Sequence, residues 1–225
     1  MPARFRRRRF LVGLAVAGLV FGVGVGIVYG TPAFGVTKVD VRGVTFTETG
    51  DVREAAAIVD GASLAAVDSD DVAERVAKVP SVESVEVDRQ WPHTVIIGIT
   101  ERSPRLAVSD GGKFVLVDES GVAYRTVSQA PSGTVLAAID SPGAGDAATA
   151  AVLTVAASLT PQLDNELVKI KAKSATRISL ELKDSRSVFW GDASDSDRKA
   201  EVATVLLTHS GQHFDVSAPD VPTVS

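Results

Sequence analysis

Hydrophobic and polar residues alternate along two neighbouring segments in the first half of the chain. The runs "VEVD" at residues 85–88 and "VIIGIT" at residues 95–100 place every second side chain on one face. Alternation with a period of two predicts half-buried β-strands. The segment "RQWPH" separates the two runs, and "ERSP" follows the second one. The sequence therefore predicts a hairpin that ends near Pro104.

The residues ahead of this hairpin predict one more strand and two helices. Residues 36–41 alternate as a strand does, and a helix at 52–59 follows the possible caps Thr49 and Asp51. A second helix at 70–79 follows Ser69 and is stopped by Pro80. We expect the two helices to cover one face of a three-stranded sheet. The predicted core residues of this domain are Val39, Val41, Val72, Val76, Val85, Val95, Ile97 and Ile99.

Residues 105–225 predict a second domain, of mixed α+β class with a mainly antiparallel sheet. The run "GKFVLVDESGVAYRTV" predicts a strand pair about a turn at residues 119–121. Further strands are expected at 136–139, 167–172, 178–183 and 187–190. Helices are expected at 147–159, with Pro161 beyond its end, and from Ser194 or Asp195 to about His209. Residues 214–225 are expected to be extended.

The N-terminus predicts a membrane anchor. Five arginines lie within the first nine residues, and an uncharged run of 20 residues follows, from Phe10 to Tyr29. At ~1.5 Å per residue such a helix spans the ~30 Å hydrocarbon core. Because positive flanks stay in the cytoplasm, we predict a cytoplasmic tail at 1–9, a transmembrane helix at 10–30 and an extracytoplasmic C-terminus. A cleaved signal peptide ending at "TPA" is the alternative, although its apolar region is typically only ~7–15 residues.

Four glycines are spaced four residues apart along the predicted membrane helix. This row comprises Gly18, Gly22, Gly26 and Gly30. Small residues on one face let another helix approach closely, which predicts a helix-packing surface. The alternative is that these are ordinary glycines, which are common in membrane helices.

The extracytoplasmic part is acidic and carries no recognisable catalytic chemistry. Without the five N-terminal arginines the chain has 18 basic and 28 acidic residues, a net charge of −10. This charge argues against binding nucleic-acid phosphates, or anionic lipid through a basic patch. The absence of cysteine excludes disulfides and thiolate chemistry.

The remaining candidate ligands are weak. His209 and His213 have the spacing of zinc ligands, but Gly211 lies between them. The aspartates of residues 192–197 lack the glycine and the glutamate of a calcium loop, so helix capping explains them better. With no nucleotide-binding or hydrolase motif, we expect no enzyme activity, no metal, no cofactor and no small-molecule substrate.

Taken together, these features resemble the FtsQ/DivIB family of bacterial cell-division proteins. The family pattern joins an aliphatic–proline pair, a valine strand, an arginine before Trp-Pro, a strand ending in Glu-Arg-x-Pro and an Asp-x-x-Gly turn. The matching residues here are Val79-Pro80, Arg89, Trp91-Pro92, Glu101 to Pro104 and Asp118 to Gly121. The resemblance covers nearly the whole chain, with a POTRA domain at 36–104 and a β-domain at 105–225.

This resemblance implies a non-catalytic scaffold of the divisome. Such a protein spans the inner or plasma membrane once at the division septum, with its C-terminal domain outside. It links early division proteins to septal peptidoglycan synthesis and binds FtsB and FtsL outside the membrane. The alternative is a membrane-anchored POTRA-type chaperone or secretion accessory. Transport-linked POTRA domains usually occur in arrays joined to an outer-membrane barrel, and this chain has one copy.

The resemblance also suggests that FtsB adds a strand to the edge of the β-domain. Residues 214–224 offer a candidate edge, because Pro219 and Pro222 each remove a donor, which only an edge strand tolerates. An edge strand presents unpaired backbone groups that a partner can complete. The candidate partner-binding residues are Phe214, Val216, Val221, Thr223 and Val224. The alternative places Phe214 and Val216 in the core and leaves Val221 to Ser225 for the partner.

Glu101, Arg102 and Pro104 form the predicted domain junction. Pro104 keeps Ser103 out of helical conformations, just where the first domain ends. Arg102 is expected to reach a carboxylate or carbonyl groups, with a solvated arginine as the alternative.

Overall fold

The computed structural model describes residues 13–23 and 34–224. Residues 13–23 are helical. The chain divides into two compact units, with the boundary between Glu101 and Arg102. Each unit has a core of its own.

Only residues 13–23 of the predicted membrane helix are described, so Gly26 and Gly30 lie outside the described residues. Among the described residues, no helix has both the length and the apolar character needed to cross a bilayer. At Gly18 and Gly22, an added Cβ atom would meet no described atom within 4 Å.

The first unit has the predicted order of strand, helix, helix, strand, strand. Its elements are β1 (Lys38–Arg42), α1 (Thr49–Ala56), α2 (Ser69–Val76), β2 (Val82–Gln90) and β3 (Thr94–Glu101). The central strand β3 lies parallel to β1 and antiparallel to β2. The Trp91–Pro92 peptide bond in the β2–β3 turn is cis.

The predicted core of the first unit is confirmed. Five of its residues are buried, namely Val72, Val76, Val95, Ile97 and Ile99. The other three, Val39, Val41 and Val85, are partly buried and pack against them. The period-two alternation of the strands therefore gave the correct face of the sheet.

Both helices of the first unit have boundaries that differ from the prediction. The N-cap of α2 is Asp68, not Ser69, because its carboxylate accepts hydrogen bonds from the N–H groups of Asp70 and Asp71. The same helix ends at Val76, three residues before the predicted end. Helix α1 begins at Thr49, so neither predicted cap residue precedes it.

The second unit contains nine strands and three α-helices among its described residues. They are β4 (Leu106–Asp110), β5 (Lys113–Val117), β6 (Ala123–Val127), β7 (Val135–Ile139), α3 (Ala147–Ser158), α4 (Pro161–Glu166), β8 (Leu167–Ser174), β9 (Arg177–Leu182), β10 (Ser187–Gly191), α5 (Ser196–Leu206), β11 (His213–Asp215) and β12 (Thr223–Val224). The strand order is β12-β11-β10-β9-β8-β7-β4-β5-β6.

The sheet of the second unit is mixed but mainly antiparallel. Five strand pairs are antiparallel, and the pairs β4–β7, β7–β8 and β10–β11 are parallel. Apolar side chains of α3, α4 and α5 belong to the same core as the inward-facing residues of the strands. Trp190 on β10 is completely buried in this core.

Two elements of the second unit were not predicted. Strand β4 lies directly after Pro104, and all of Leu106, Ala107 and Val108 are buried, so it shows no alternation. Helix α4 begins at Pro161, which the sequence analysis placed beyond the end of the preceding helix without expecting a new helix there. Proline is tolerated in the first turn of a helix, and the Thr160 hydroxyl caps it by accepting from the Leu163 N–H at 3.2 Å.

Candidate partner-binding edge

The C-terminal segment forms one end of the nine-stranded sheet. Strand β11 lies parallel to β10, and β12 folds back antiparallel to β11. The register pairs Phe214 with Val224 and Asp215 with Thr223. As the last strand in the sheet order, β12 has an outer edge that no other described strand covers.

The ladder identifies which backbone groups of β12 face outward. The Val216 N–H donates to the Phe189 carbonyl at 3.0 Å, so the even-numbered residues of this segment bond to β10. Successive residues of a strand direct their backbone N–H and C=O groups to opposite neighbours, so those of Asp215 point to β12, where Asp215 pairs with Thr223. The backbone of Val224 therefore points to the open edge, and Thr223 holds the strand to its own domain.

The structure divides the five predicted partner-binding residues into two groups. Phe214 is 2% exposed and Val216 is fully buried, so both belong to the core of the second unit. Val221 is 74% exposed and Val224 is 41% exposed, so their side chains are accessible. Thr223 is exposed as well, and its backbone pairs with Asp215 of its own domain. The burial of Phe214 and Val216 is what the alternative interpretation expected.

Two further contacts hold the edge strand in place. Arg198 on α5 forms an ion pair with Asp220, directly ahead of the strand. Gly211 lies beneath Val224, because a Cβ atom added there would be 2.5 Å from Val224 Cγ1. The absence of a side chain at Gly211 therefore leaves room for Val224. The sequence analysis noted Gly211 only as a residue between His209 and His213, and it missed this role.

The N-terminal turn of α5 is fixed by a buried lysine. The Nζ atom of Lys199 donates to the carbonyl and to a carboxylate oxygen of Asp192, both at 3.0 Å. Its side chain is 1% exposed, whereas that of Asp192 is 51% exposed. The Ser194 hydroxyl and Lys199 both donate to this carboxylate and lower the pKa of Asp192 to about 2. The Trp190 indole N–H donates to Ser196 at 3.1 Å and ties the same turn to β10.

The predicted junction residues make contacts within their own units. In the first unit, the carboxylate of Glu101 accepts hydrogen bonds from the N–H groups of Phe46 at 3.2 Å and Thr47 at 2.7 Å. Burial by itself would raise the pKa of Glu101, but the hydrogen bonds from Thr47 and its neighbours outweigh burial and lower it. Glu101 thus holds the loop that follows β1.

In the second unit, Arg102 donates to the carboxylate of Asp118. Asp118 also accepts from the Ser120 N–H at 3.0 Å, the Ser120 hydroxyl at 2.8 Å and the Val122 N–H at 2.8 Å. Burial alone would raise the pKa of Asp118, but the bonds from Ser120, Arg102 and Val122 outweigh it and lower the pKa. Arg102 therefore reaches a carboxylate, which is one of the partners that the sequence analysis expected for it. Pro104 lies two residues further along the chain.

Within residues 13–23 and 34–224, no group of three or more histidine or acidic side chains is placed to hold a metal ion. His213 donates to or accepts from the Ser187 hydroxyl at 2.9 Å. Most acidic residues with a lowered pKa, such as Glu101, Asp118 and Asp192, hold turns and loops through hydrogen bonds. The other kind is a strand residue paired with basic side chains, as Glu181 is with Lys169 and Lys171.

Each of the two units matches the model of a known protein family. The model of the FtsQ-type POTRA domain matches residues 34–102, and the C-terminal model of cell division protein FtsQ/DivIB matches residues 106–220. Together these matches cover most of the chain.

Full-length relatives show the same similarity. The chain is 36% identical to cell division protein FtsQ of Streptomyces collinus over 242 residues, covering 100% of this chain and 92% of the relative. It is 36% identical to FtsQ of Mycobacterium tuberculosis H37Rv over 231 residues, covering 99% of this chain and 73% of the relative. A solved structure of the major extracytoplasmic domain of DivIB from Geobacillus stearothermophilus, described as its trans isomer, is 18% identical. Its TM-score is 0.34, with 45% of this chain and 85% of that chain covered.

Proposed function

Because the chain belongs to the FtsQ/DivIB family of bacterial cell-division proteins, we propose that it is a non-catalytic, single-pass membrane scaffold of the divisome that binds FtsB along the outer edge of β12. FtsL is a further proposed partner, from the family resemblance. The observation that carries the proposal is the position of β12 at the end of the sheet, with the Val224 backbone directed outward.

Backbone pairing alone would give a weak complex. Strand β12 is two residues long, and each backbone hydrogen bond contributes only ~0.5–1.5 kcal/mol. The entropy lost on association offsets much of that gain. The exposed side chains of Val221 and Val224 are the available apolar contacts on this segment. Confinement of both proteins to one membrane would raise their effective concentration and compensate for a small contact area.

Membrane anchoring is part of the same proposal. The five N-terminal arginines and the uncharged run after them support a helix at 10–30 with the N-terminus in the cytoplasm. The extracytoplasmic units would then stand on the side where septal wall synthesis takes place. A reporter that is active only in the cytoplasm, fused after Ser225, should be silent, and activity of that fusion would contradict the topology.

Co-purification with FtsB tests the binding site. A chain that lacks Val221 to Ser225 should insert into the membrane and fold, but should no longer retain FtsB. Val221→Asp should weaken retention, whereas Val168→Asp should not. Val168 is a 45% exposed valine on β8, which lies four places from β12 in the sheet order. Retention of FtsB at the normal level by the shortened chain would contradict binding at β12 and would make α5 the next site to test.

A further inference from the structure

Three segments of the first unit meet at the point where the chain enters it. The Val36 N–H donates to the Ala62 carbonyl at 2.8 Å, and the Gly61 N–H donates back to the Val36 carbonyl at 2.8 Å. On the other side, the Thr37 N–H donates to the carbonyl of His93 at 3.0 Å. Residues 34–38, the loop 59–63 and the β2–β3 turn at 91–93 thus form one end of the unit, here called the proximal end.

The proximal end exposes apolar side chains that the core does not use. Trp91 is 51% exposed, and its ring meets that of Phe34 edge-on, with the ring centroids 5.7 Å apart. Val59 is 72% exposed on the adjacent loop. By contrast, Trp190 in the second unit is completely buried. A half-exposed tryptophan and an exposed valine at the same end of the unit indicate a surface that contacts something apolar.

The sequence places this end close to the proposed membrane helix. Only three residues lie between Gly30, the end of that helix, and Phe34. The four steps from Gly30 to Phe34 span at most about 14 Å even when the chain is fully extended. The interfacial region of a bilayer is about 5–8 Å deep on each side of the hydrocarbon core. The proximal end is therefore within reach of the lipid headgroups whatever path the intervening residues take.

We propose that the proximal end docks on the bilayer, with Trp91 and Val59 inserted at the boundary between headgroups and acyl chains. The inference rests on the membrane anchor of the proposed function and adds a second attachment to it. Tryptophan is favoured at this depth because its ring is apolar and its N–H can bond to headgroups or water. The contact would hold the first unit in one orientation against the membrane.

The chemistry of the contact is apolar and not electrostatic. Asp60 lies beside Val59 in the sequence, and the guanidinium of Arg89 is directed to the carbonyl groups of Ala65 and Val67. Lys38 forms an ion pair with Asp40 at 3.7 Å. Among its described residues the proximal end thus offers no basic cluster for anionic lipid, in agreement with the acidic charge of the chain. Docking should therefore occur on zwitterionic phosphatidylcholine and persist at high salt.

Tryptophan fluorescence of the full-length chain in phosphatidylcholine vesicles tests the proposal. Half of the samples carry bromine on the acyl chains, which quenches tryptophan by close contact. The difference between the wild-type chain and Trp91→Phe isolates the emission of Trp91 from that of buried Trp190. We expect the Trp91 emission to be blue-shifted, largely lost in the brominated vesicles and protected from iodide. Val59→Asp should reduce the quenching by brominated lipid.

A matched control places a tryptophan at the other end of the same strand. Glu83→Trp in the Trp91→Phe background lies eight residues away along β2, roughly 26 Å at ~3.3 Å per residue. Its emission should be insensitive to brominated lipid. Docking is overturned if Trp91 is quenched no more than this control while the chain resists alkaline extraction from the vesicles. Loss of the chain in the alkaline wash would instead show that the membrane anchor itself has failed, and docking with it.

Discussion

The packing of the first unit makes a sharp prediction for Ile97→Ala. Ile97 lies in the middle of the central strand β3, opposite Val41 of β1 and Val87 of β2, and is fully buried. Its neighbour Ile96 points to the other face of the same sheet and is only partly buried. The two isoleucines thus share a strand and a backbone environment but differ in burial.

The expected loss follows from what the substitution removes. Replacing isoleucine with alanine deletes three carbon atoms, worth ~0.8 kcal/mol each in transfer free energy, or ~2.4 kcal/mol. The cavity left behind brings the total to ~2–5 kcal/mol. Small domains have unfolding free energies of about 5–15 kcal/mol, so this is a large fraction. With a urea dependence of about 2 kcal/mol per molar, the midpoint should fall by ~1–2.5 M.

Urea unfolding followed by far-UV circular dichroism measures this shift. In the Trp91→Phe background, Trp190 is the one remaining tryptophan. Its fluorescence then reports on the second unit and should show an unchanged midpoint. Ile96→Ala is the matched control and should lose less than half as much stability. An equal or larger loss for Ile96→Ala would mean that the strand register is shifted by one residue, which would exchange the two faces of the sheet.

Three further predictions concern ionised groups and the membrane helix. Asp118→Asn should destabilise the second unit at neutral pH. Because the folded pKa of Asp118 is lowered, the ionised carboxylate contributes stability above the unfolded pKa of ~3.9, and this stability is lost as pH falls through the folded pKa. The unfolding free energies of variant and wild type should therefore converge at acidic pH. Asp192→Asn should lower the melting temperature more than Lys199→Met, since only the first leaves a buried ammonium without its carboxylate; the reverse ranking would contradict this account. Changing Gly22 and Gly26 together to leucine should weaken in-membrane crosslinking without preventing insertion, and an unchanged pattern would leave them as ordinary glycines.

The sequence predicted the first unit well because its sheet has one covered face. That arrangement makes Ile97 and Ile99 alternate with less buried neighbours, which is the signal that hydrophobic periodicity detects. Strand β4 gave no such signal, since Leu106, Ala107 and Val108 are buried on both faces.

The candidate site was predictable only in part. The prolines near the C-terminus indicated an edge strand, but they could not show which alternating residues face the core. The burial of Phe214 depends on its parallel pairing with Val188 of β10, a contact across 26 residues of sequence. Likewise, the outward direction of the Val224 backbone follows from the ladder of β11 and not from the local sequence.

The most direct test of the proposed function is FtsB retention by the full-length Val224→Pro chain. Proline removes the one backbone N–H that Val224 turns to the open edge, whereas Thr223 keeps its pairing with Asp215. Val224→Ala, which shortens the side chain and keeps that N–H, is the matched control. If FtsB adds a strand to β12, Val224→Pro should lose most of the FtsB that Val224→Ala retains, with both chains folded and inserted. Equal retention of FtsB by the two variants would contradict strand addition at this edge.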